Sequence, residues 1–350
     1  MRRVLVAGAL LIALVGAAAG VWYASQPLLQ VYHAPGRVGL REGDVTANIT
    51  GRLGAIVRDA RYRVNGGVWR PVLERPPRVR RPDFTVEMTA AELRPGTNSV
   101  EVEAKAPLRA AVRATFDIDY DAAPPALPTT VRWDASSLDV QDGRWEVVEG
   151  PDGAPWVRPV PGFEGWDRLT LAAPPFRGGR KISTTLRLRA VPDTGERDWG
   201  FGLFPLWGGR PDPSNVHPAL GWRFAIAWYS RNEGGVAAGM SERLGDIRDT
   251  KGIVEKLRMK VEAGVSYRLV VEVRELRRPD GSFRGWAERM KWWPEGAPEP
   301  AHWVEVEDRT GMVLPDQAYA VGVFSLRAAA EFGPPTIESL PPVILPEGSD

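Results

Sequence analysis

Apolar and polar positions alternate with period two through much of the chain, and the longest uninterrupted apolar run lies at its N-terminus. Val100-Glu101-Val102-Glu103-Ala104 and Phe116-Asp117-Ile118-Asp119-Tyr120 put apolar side chains on one face of a strand and carboxylates on the other. Phe84 to Met88 predicts a third strand. Arg61-Tyr62-Arg63-Val64, Asn65-Gly66-Gly67 and Val68-Trp69 spell a hairpin, since Asn-Gly and Gly-Gly supply the positive φ of its turn. Later strands are expected at 144–148, 167–171, 181–190, 201–206, 222–229, 266–274, 286–293 and 320–326. In one of these, Trp286, Glu288, Met290 and Trp292 share one parity and Ala287, Arg289, Lys291 and Trp293 the other. Pro294 stops that strand, and the rigid turn Glu295 to Pro300 brings Trp303 back beside it. Trp222, Phe224, Ile226 and Trp228 also share a parity, the pattern of a row filling the ~10 Å gap between stacked sheets. With no sustained helical period in these regions, the exported part is expected to be all-β, built of stacked antiparallel sheets.

The apolar run Val4 to Ala24 follows Arg2-Arg3 and is about long enough to cross a hydrocarbon core of ~30 Å. Trp22 and Tyr23 close it like an interfacial belt, and the leading arginines predict a cytoplasmic tail with the remainder outside. The run predicts an N-terminal transmembrane helix acting as a signal anchor. A cleaved signal peptide is the alternative, with Ala17-Ala18-Ala19 or Tyr23-Ala24-Ser25 as the small-residue site. The expected organisation is an export element at 1–27, a small β-sandwich at 28–121, a Pro-rich linker at 122–130, a larger sandwich at 131–338 and a tail at 339–350, with a closing strand or an extended, fraying segment from Phe332 onward. Expected localisation is membrane-anchored with exported (periplasmic or extracellular) domains, or secreted if the signal is cleaved.

Composition narrows the function classes. The 350 residues include no cysteine, which removes disulfides, thiol catalysis and thiolate metal sites together. A formal charge of +1 and the lack of a basic tract with interleaved aromatics argue against nucleic acid as a partner. Thirty-seven Gly, thirty-two Pro and fourteen Trp fit many short strands, tight turns and large aromatics in cores or clefts.

Two resemblances follow from the motifs. Leu93-x-Pro95-Gly96-x-Asn98 ahead of an alternating strand resembles the bacterial immunoglobulin-like modules of the cell envelope, which space or support other domains. Lys291-Trp292-Trp293-Pro294-Glu295-Gly296-x-Pro298-Glu299-Pro300-x-x-Trp303 resembles the penultimate hairpin of concanavalin A-like, laminin-G-like jelly rolls. Trp145-Glu146-Val147-x-x-Gly150, Trp166-Asp167-Arg168-Leu169, Gly221-Trp222-Arg223-Phe224 and Tyr267-Arg268-Leu269-x-Val271-Glu272-Val273 follow that family's order, so the resemblance spans roughly Val131 to Ile337. It implies a jelly-roll fold and leaves activity open.

Hydrolases of that fold carry acids on one strand as Glu-x-Asp-x-x-Glu or Glu-x-Asp-x-Glu, and no such run occurs here. The nearest candidates are Glu305 and Glu307, whose Cα atoms would lie about 7 Å apart on a strand, though the valines between them fit an edge strand with glutamates in water. Glu272 carries the same two readings. Trp199 and Trp207 flank a strand and precede the loop Gly208 to Pro218, so they are expected on a rim where sugar faces stack on indoles. Asp198, Arg210, Asn215 and Arg223 would supply the orienting polar groups. His33, His217 and His302 have no ligand spacing, and calcium would need Asp212, Ser214 and Asn215 in what is first a turn sequence. The basic loop Arg75-Pro-Pro-Arg78-Val-Arg80-Arg81 could meet anionic lipid or polysaccharide. The expected function is recognition of a glycan or another cell-envelope component through the larger sandwich, with the membrane reached through the N-terminal helix. A sugar-processing hydrolase or lyase and a structural envelope protein are the alternatives.

Overall fold

A computed structural model describes residues 23–72, 83–162, 168–193, 198–212, 221–244 and 251–348. The expected N-terminal anchor, the basic loop at 75–81 and the candidates Ser214, Asn215 and His217 lie outside the described residues. Among the described residues no helix is long and apolar enough to cross a membrane.

The first unit is a small sandwich. A three-stranded sheet orders Leu29–His33, Ala47–Leu53 and Asp83–Met88, and it faces a five-stranded sheet of Arg37–Val38, Val112–Tyr120, Gly96–Lys105, Asp59–Val64 and Arg70–Pro71. The alternation read in the sequence sets the core: Val100, Val102 and Ala104 are fully buried against Ile49, Phe84 and Val86, while Glu101 stays at the surface with Arg63. Glu103 departs from the simple pattern. It is 1 % exposed, held by Arg61, Lys105 and Arg113 on the outer face of its sheet.

The second unit stacks two larger sheets. The first has seven strands in the order Asp139–Asp142, Arg168–Phe176, Tyr319–Leu326, Gly200–Trp207, Trp222–Ser230, Gly235–Arg243 and Lys251–Arg258. The second has ten, centred on Gly179–Leu188, Ser266–Arg277 and Phe283–Pro294. Strands from the two ends of the sequence lie side by side, as when Arg168–Phe176 pairs with Tyr319–Leu326, so this is a jelly-roll-type sandwich and not a meander. Leu203, Ala225, Val236 and Val321 of one sheet meet Ile182, Leu269, Val271, Met290 and Trp292 of the other in a common core.

Several sequence expectations change here. The linker stops short of residue 130, because Thr129–Thr130 pairs with Thr336 and Ile337. The tail is not frayed: Ser339 and Leu340 pair with Arg180 and Gly179, and Val343–Ile344 runs parallel to Leu276 and Arg277. Strands Gly235–Arg243 and Lys251–Arg258 were not expected, since the first is rich in Gly and Ala and the second is highly charged. Their ladder partners compensate for that poor intrinsic preference. Trp303 returns to the hairpin as expected, but it lies over the cations Arg289 and Lys291, at 4.4 and 4.6 Å, and not against an indole.

The two units meet along a polar seam. Asn48 donates to the Gln141 carbonyl (2.8 Å), Gln141 donates back to the Thr46 carbonyl (2.9 Å), and Thr50 donates to the Gly143 carbonyl (3.0 Å). Arg41 pairs with Asp139 and Arg177 with Glu42. His33 donates to the Leu138 carbonyl, and burial holds its imidazole below the usual range. Beyond these contacts, Asp44 bridges to Gly209, which brings the first sandwich to the loop that follows Trp207.

Candidate functional site

The seven-stranded sheet is apolar on both faces. Along Trp222–Ser230, Ala225, Ala227 and Tyr229 enter the inter-sheet core, while Trp222, Phe224, Ile226 and Trp228 face outward. This corrects the expectation that the Trp222 row is core. It lines a groove of about 470 Å³ together with Leu169, Phe204, Trp207, Val254, Phe324 and Leu326. The rings run edge to edge: Trp222 lies 6.4 Å from Phe224, Phe224 4.8 Å from Phe204, Phe204 4.6 Å from Phe324, and Phe324 5.6 Å from Trp228. Offset contacts at such distances are favourable.

Glycines set the floor. Gly202 pairs with both Trp228 and Phe324, Gly322 with Phe204, and Gly239 with Ile226. A Cβ on Gly202 would lie 2.2 Å from the Ala227 carbonyl oxygen and 2.6 Å from the Trp228 Cα, so any side chain there would force the strands apart.

Trp199 and Trp207 part company. Trp199 is 5 % exposed and packs in the inter-sheet core on Tyr229, with ring centroids 5.1 Å apart, so it is not on a rim. Trp207 lines the groove, buried against Phe204 at 5.2 Å. An even run of eight residues would leave both on one face. The register shifts between Leu203 and Leu206, around Pro205, which cannot donate to a ladder, and the bulge turns Trp207 outward.

The polar candidates also separate. Arg210 lines the groove with its guanidinium carbon 5.5 Å from the Trp207 ring centre and its Nη2 3.4 Å from an Asp142 oxygen. Arg168, unnamed among the sequence candidates, joins it at 3.7 Å from the same carboxylate. Arg223 belongs to the other side of the sheet, bonded to Glu242 at 2.7 and 2.9 Å and to Gln317. Asp198 accepts from the Asn232 backbone N–H (3.0 Å) and so fixes a turn away from the groove. Ser241 accepts from the Trp222 indole N–H and donates to the Lys251 carbonyl.

The carboxylates considered for catalysis lie elsewhere. Glu305 and Glu307 are exposed on the edge strand Val304–Asp308 of the ten-stranded sheet, with Glu307 paired to Arg309. Glu272 is on that sheet as well. Burial pushes its carboxyl up, but hydrogen bonds from Arg289 and Arg274 outweigh it and hold the group below the usual carboxylate range. None of the three lines the groove. Among the described residues no group of three or more His, Asp or Glu is placed to hold a metal ion.

The first sandwich packs beside this site. Val45 is 1 % exposed within the same cluster as Leu169, Leu171, Phe204, Trp207 and Ala320. The Arg210 backbone N–H donates to the Asp44 carbonyl (3.2 Å), and a Cβ on Gly209 would fall 2.0 Å from that oxygen, so only glycine fits. Gly209 also has φ +85°, where other residues are strained.

No protein-family profile matches the chain, and no curated protein matches it. Among solved structures, a glucuronan lyase of Trichoderma reesei is 12% identical, with TM-score 0.40 over 61% of this chain and 95% of that one. The carbohydrate-binding module CBM66 of Bacillus subtilis is 13% identical, with TM-score 0.31 over 58% and 95%. A legume lectin-like domain of Entamoeba histolytica is 8% identical, with TM-score 0.34 over 62% and 100%. Likenesses this distant leave the function to be argued from the groove.

Proposed function

We propose that this protein is an extracytoplasmic recognition protein that binds a glycan in the aromatic groove of its larger sandwich, with the first sandwich as an immunoglobulin-like support and the N-terminal apolar run as its membrane tether. The observation that carries the reading is the outward row Trp222, Phe224, Phe204, Phe324 and Trp228, partly open and continuous across three strands. Pyranose rings present flat C–H faces that stack on such surfaces, and the bordering guanidinium groups can donate hydrogen bonds to ring substituents. The tether rests on the run Val4 to Ala24 with Arg2-Arg3 before it.

The test is retention on immobilised polysaccharides. Trp222→Ala and Trp228→Ala should each weaken retention about tenfold or more while the melting temperature stays close to that of the parent, because both side chains are only partly buried. Unchanged retention in both variants would refute glycan binding in this groove. Trp199→Ala provides the contrast: as a buried large-to-small change in the core it should cost ~3–5 kcal/mol in urea denaturation.

A further inference from the structure

We infer that the glycan is acidic, with a sugar carboxylate seated at the Trp207–Arg210–Arg168 end of the groove; this rests on the glycan reading above. The lining is asymmetric in hydrogen-bonding character. Guanidinium groups and indole N–H groups donate and cannot accept, whereas no carboxylate or side-chain amide lines the groove among the described residues. Ser241, the one hydroxyl there, already accepts from Trp222 and donates to the Lys251 carbonyl. A ligand must therefore bring acceptors to this site.

The donors cluster at one end. The Trp207 indole N–H is buried with no hydrogen-bond partner among the described residues, in a side chain only 2 % exposed. Leaving a donor in that state is unfavourable, and an arriving acceptor would relieve it. Arg210 lies over the same ring, and Arg168 and Arg210 both approach Asp142, so two guanidinium groups converge on this end of the groove. A carboxylate projecting from a sugar ring could meet the donors while the ring's C–H face lies on Phe204 and Phe224, which border Trp207 at 5.2 and 6.5 Å. Neutral sugars offer hydroxyls that both donate and accept, and half of that capacity would find no acceptor in the lining.

Calorimetric titration of the full chain would decide the matter, using oligoglucuronate, oligogalacturonate and oligomannuronate, each beside its carboxyl-reduced neutral counterpart, with a sulfated oligosaccharide as a further arm. At least one uronate should bind ten times or more tighter than its reduced form, and that preference should shrink as salt rises. Arg210→Gln should lower the uronate's advantage over its reduced form about tenfold, whatever its effect on the neutral oligomer, and Arg210→Lys should restore part of it. Equal binding of the acidic and reduced forms, or a sulfated chain preferred over every uronate, would overturn the carboxylate assignment while leaving glycan binding intact. Failure of every glycan, neutral ones included, would instead overturn the glycan reading itself.

Discussion

Glu288 is the residue most at odds with its surroundings. It is 1 % exposed in the inter-sheet core, in the row Trp286, Met290 and Trp292, and neither carboxyl oxygen has a hydrogen-bond partner among the described residues. Burial pushes its carboxyl well above the usual 4.5; the peptide N–H groups of Gly239 and Ile226 pull the other way but close no hydrogen bond. The folded form therefore holds the proton that the unfolded chain releases, so stability falls as pH rises from about 4.5 toward the folded-state value, by ~1.4 kcal/mol per pH unit. Glu288→Gln should remove that slope: its melting temperature relative to the parent should climb between about pH 4 and pH 7. A constant difference across that range would show that the carboxyl is not desolvated as described. Glu103 has the opposite sign. Burial would raise its carboxyl, but Arg113, Lys105 and Arg61 hold it down to about 2, so its contribution is present above about 4.5 and fades as pH falls through about 2. Parity in the sequence grouped Glu288 with Trp286, Met290 and Trp292, yet parity says neither which face is buried nor what a side chain meets across the sheet gap.

Among the elements, Gly200–Trp207 carries the lesson about legibility. Trp199 has the parity of Phe201 and Leu203, which would have placed it in the core from sequence alone; Trp207 needed the bulge around Pro205, which period-two reading cannot see. The Trp222 row was visible as a stripe, but both parities of that strand are apolar, so sequence could not say which side met the second sheet. The missed signal was glycine opposite Trp228 and Phe324 (Gly202), Ile226 (Gly239) and Phe204 (Gly322). Gly202→Ala should destabilise the fold by ~1–3 kcal/mol in urea titration, because its Cβ meets backbone. Gly252→Ala is the control: its Cβ would meet nothing nearer than 3.6 Å, and stability should stay within ~0.5 kcal/mol. Equal losses in the two variants would remove the steric argument. The strands with clear alternation or β-branched residues were readable in advance, whereas Gly235–Arg243, held by ladders on both sides, was not.

For the whole molecule, the sequence marks a division at Asp121 to Thr130 that the folded chain does not respect. The seam joins Asn48, Gln141, Thr50 and Gly143, and Val45 shares a buried cluster with Trp207. Calorimetry on the described two-sandwich chain should show a single cooperative transition, and residues 128–348 alone should melt lower and lose groove binding along with Asp44 and Val45. Two independent transitions, with binding retained by the fragment, would refute this coupling. Gly209 sharpens the point, since its backbone is admitted only where the Asp44 carbonyl leaves room for a hydrogen atom. Domain shuffling that moved the larger sandwich by itself would strip away the Val45 packing on which Trp207 rests, so the pair behaves as one heritable unit whose partners must change together.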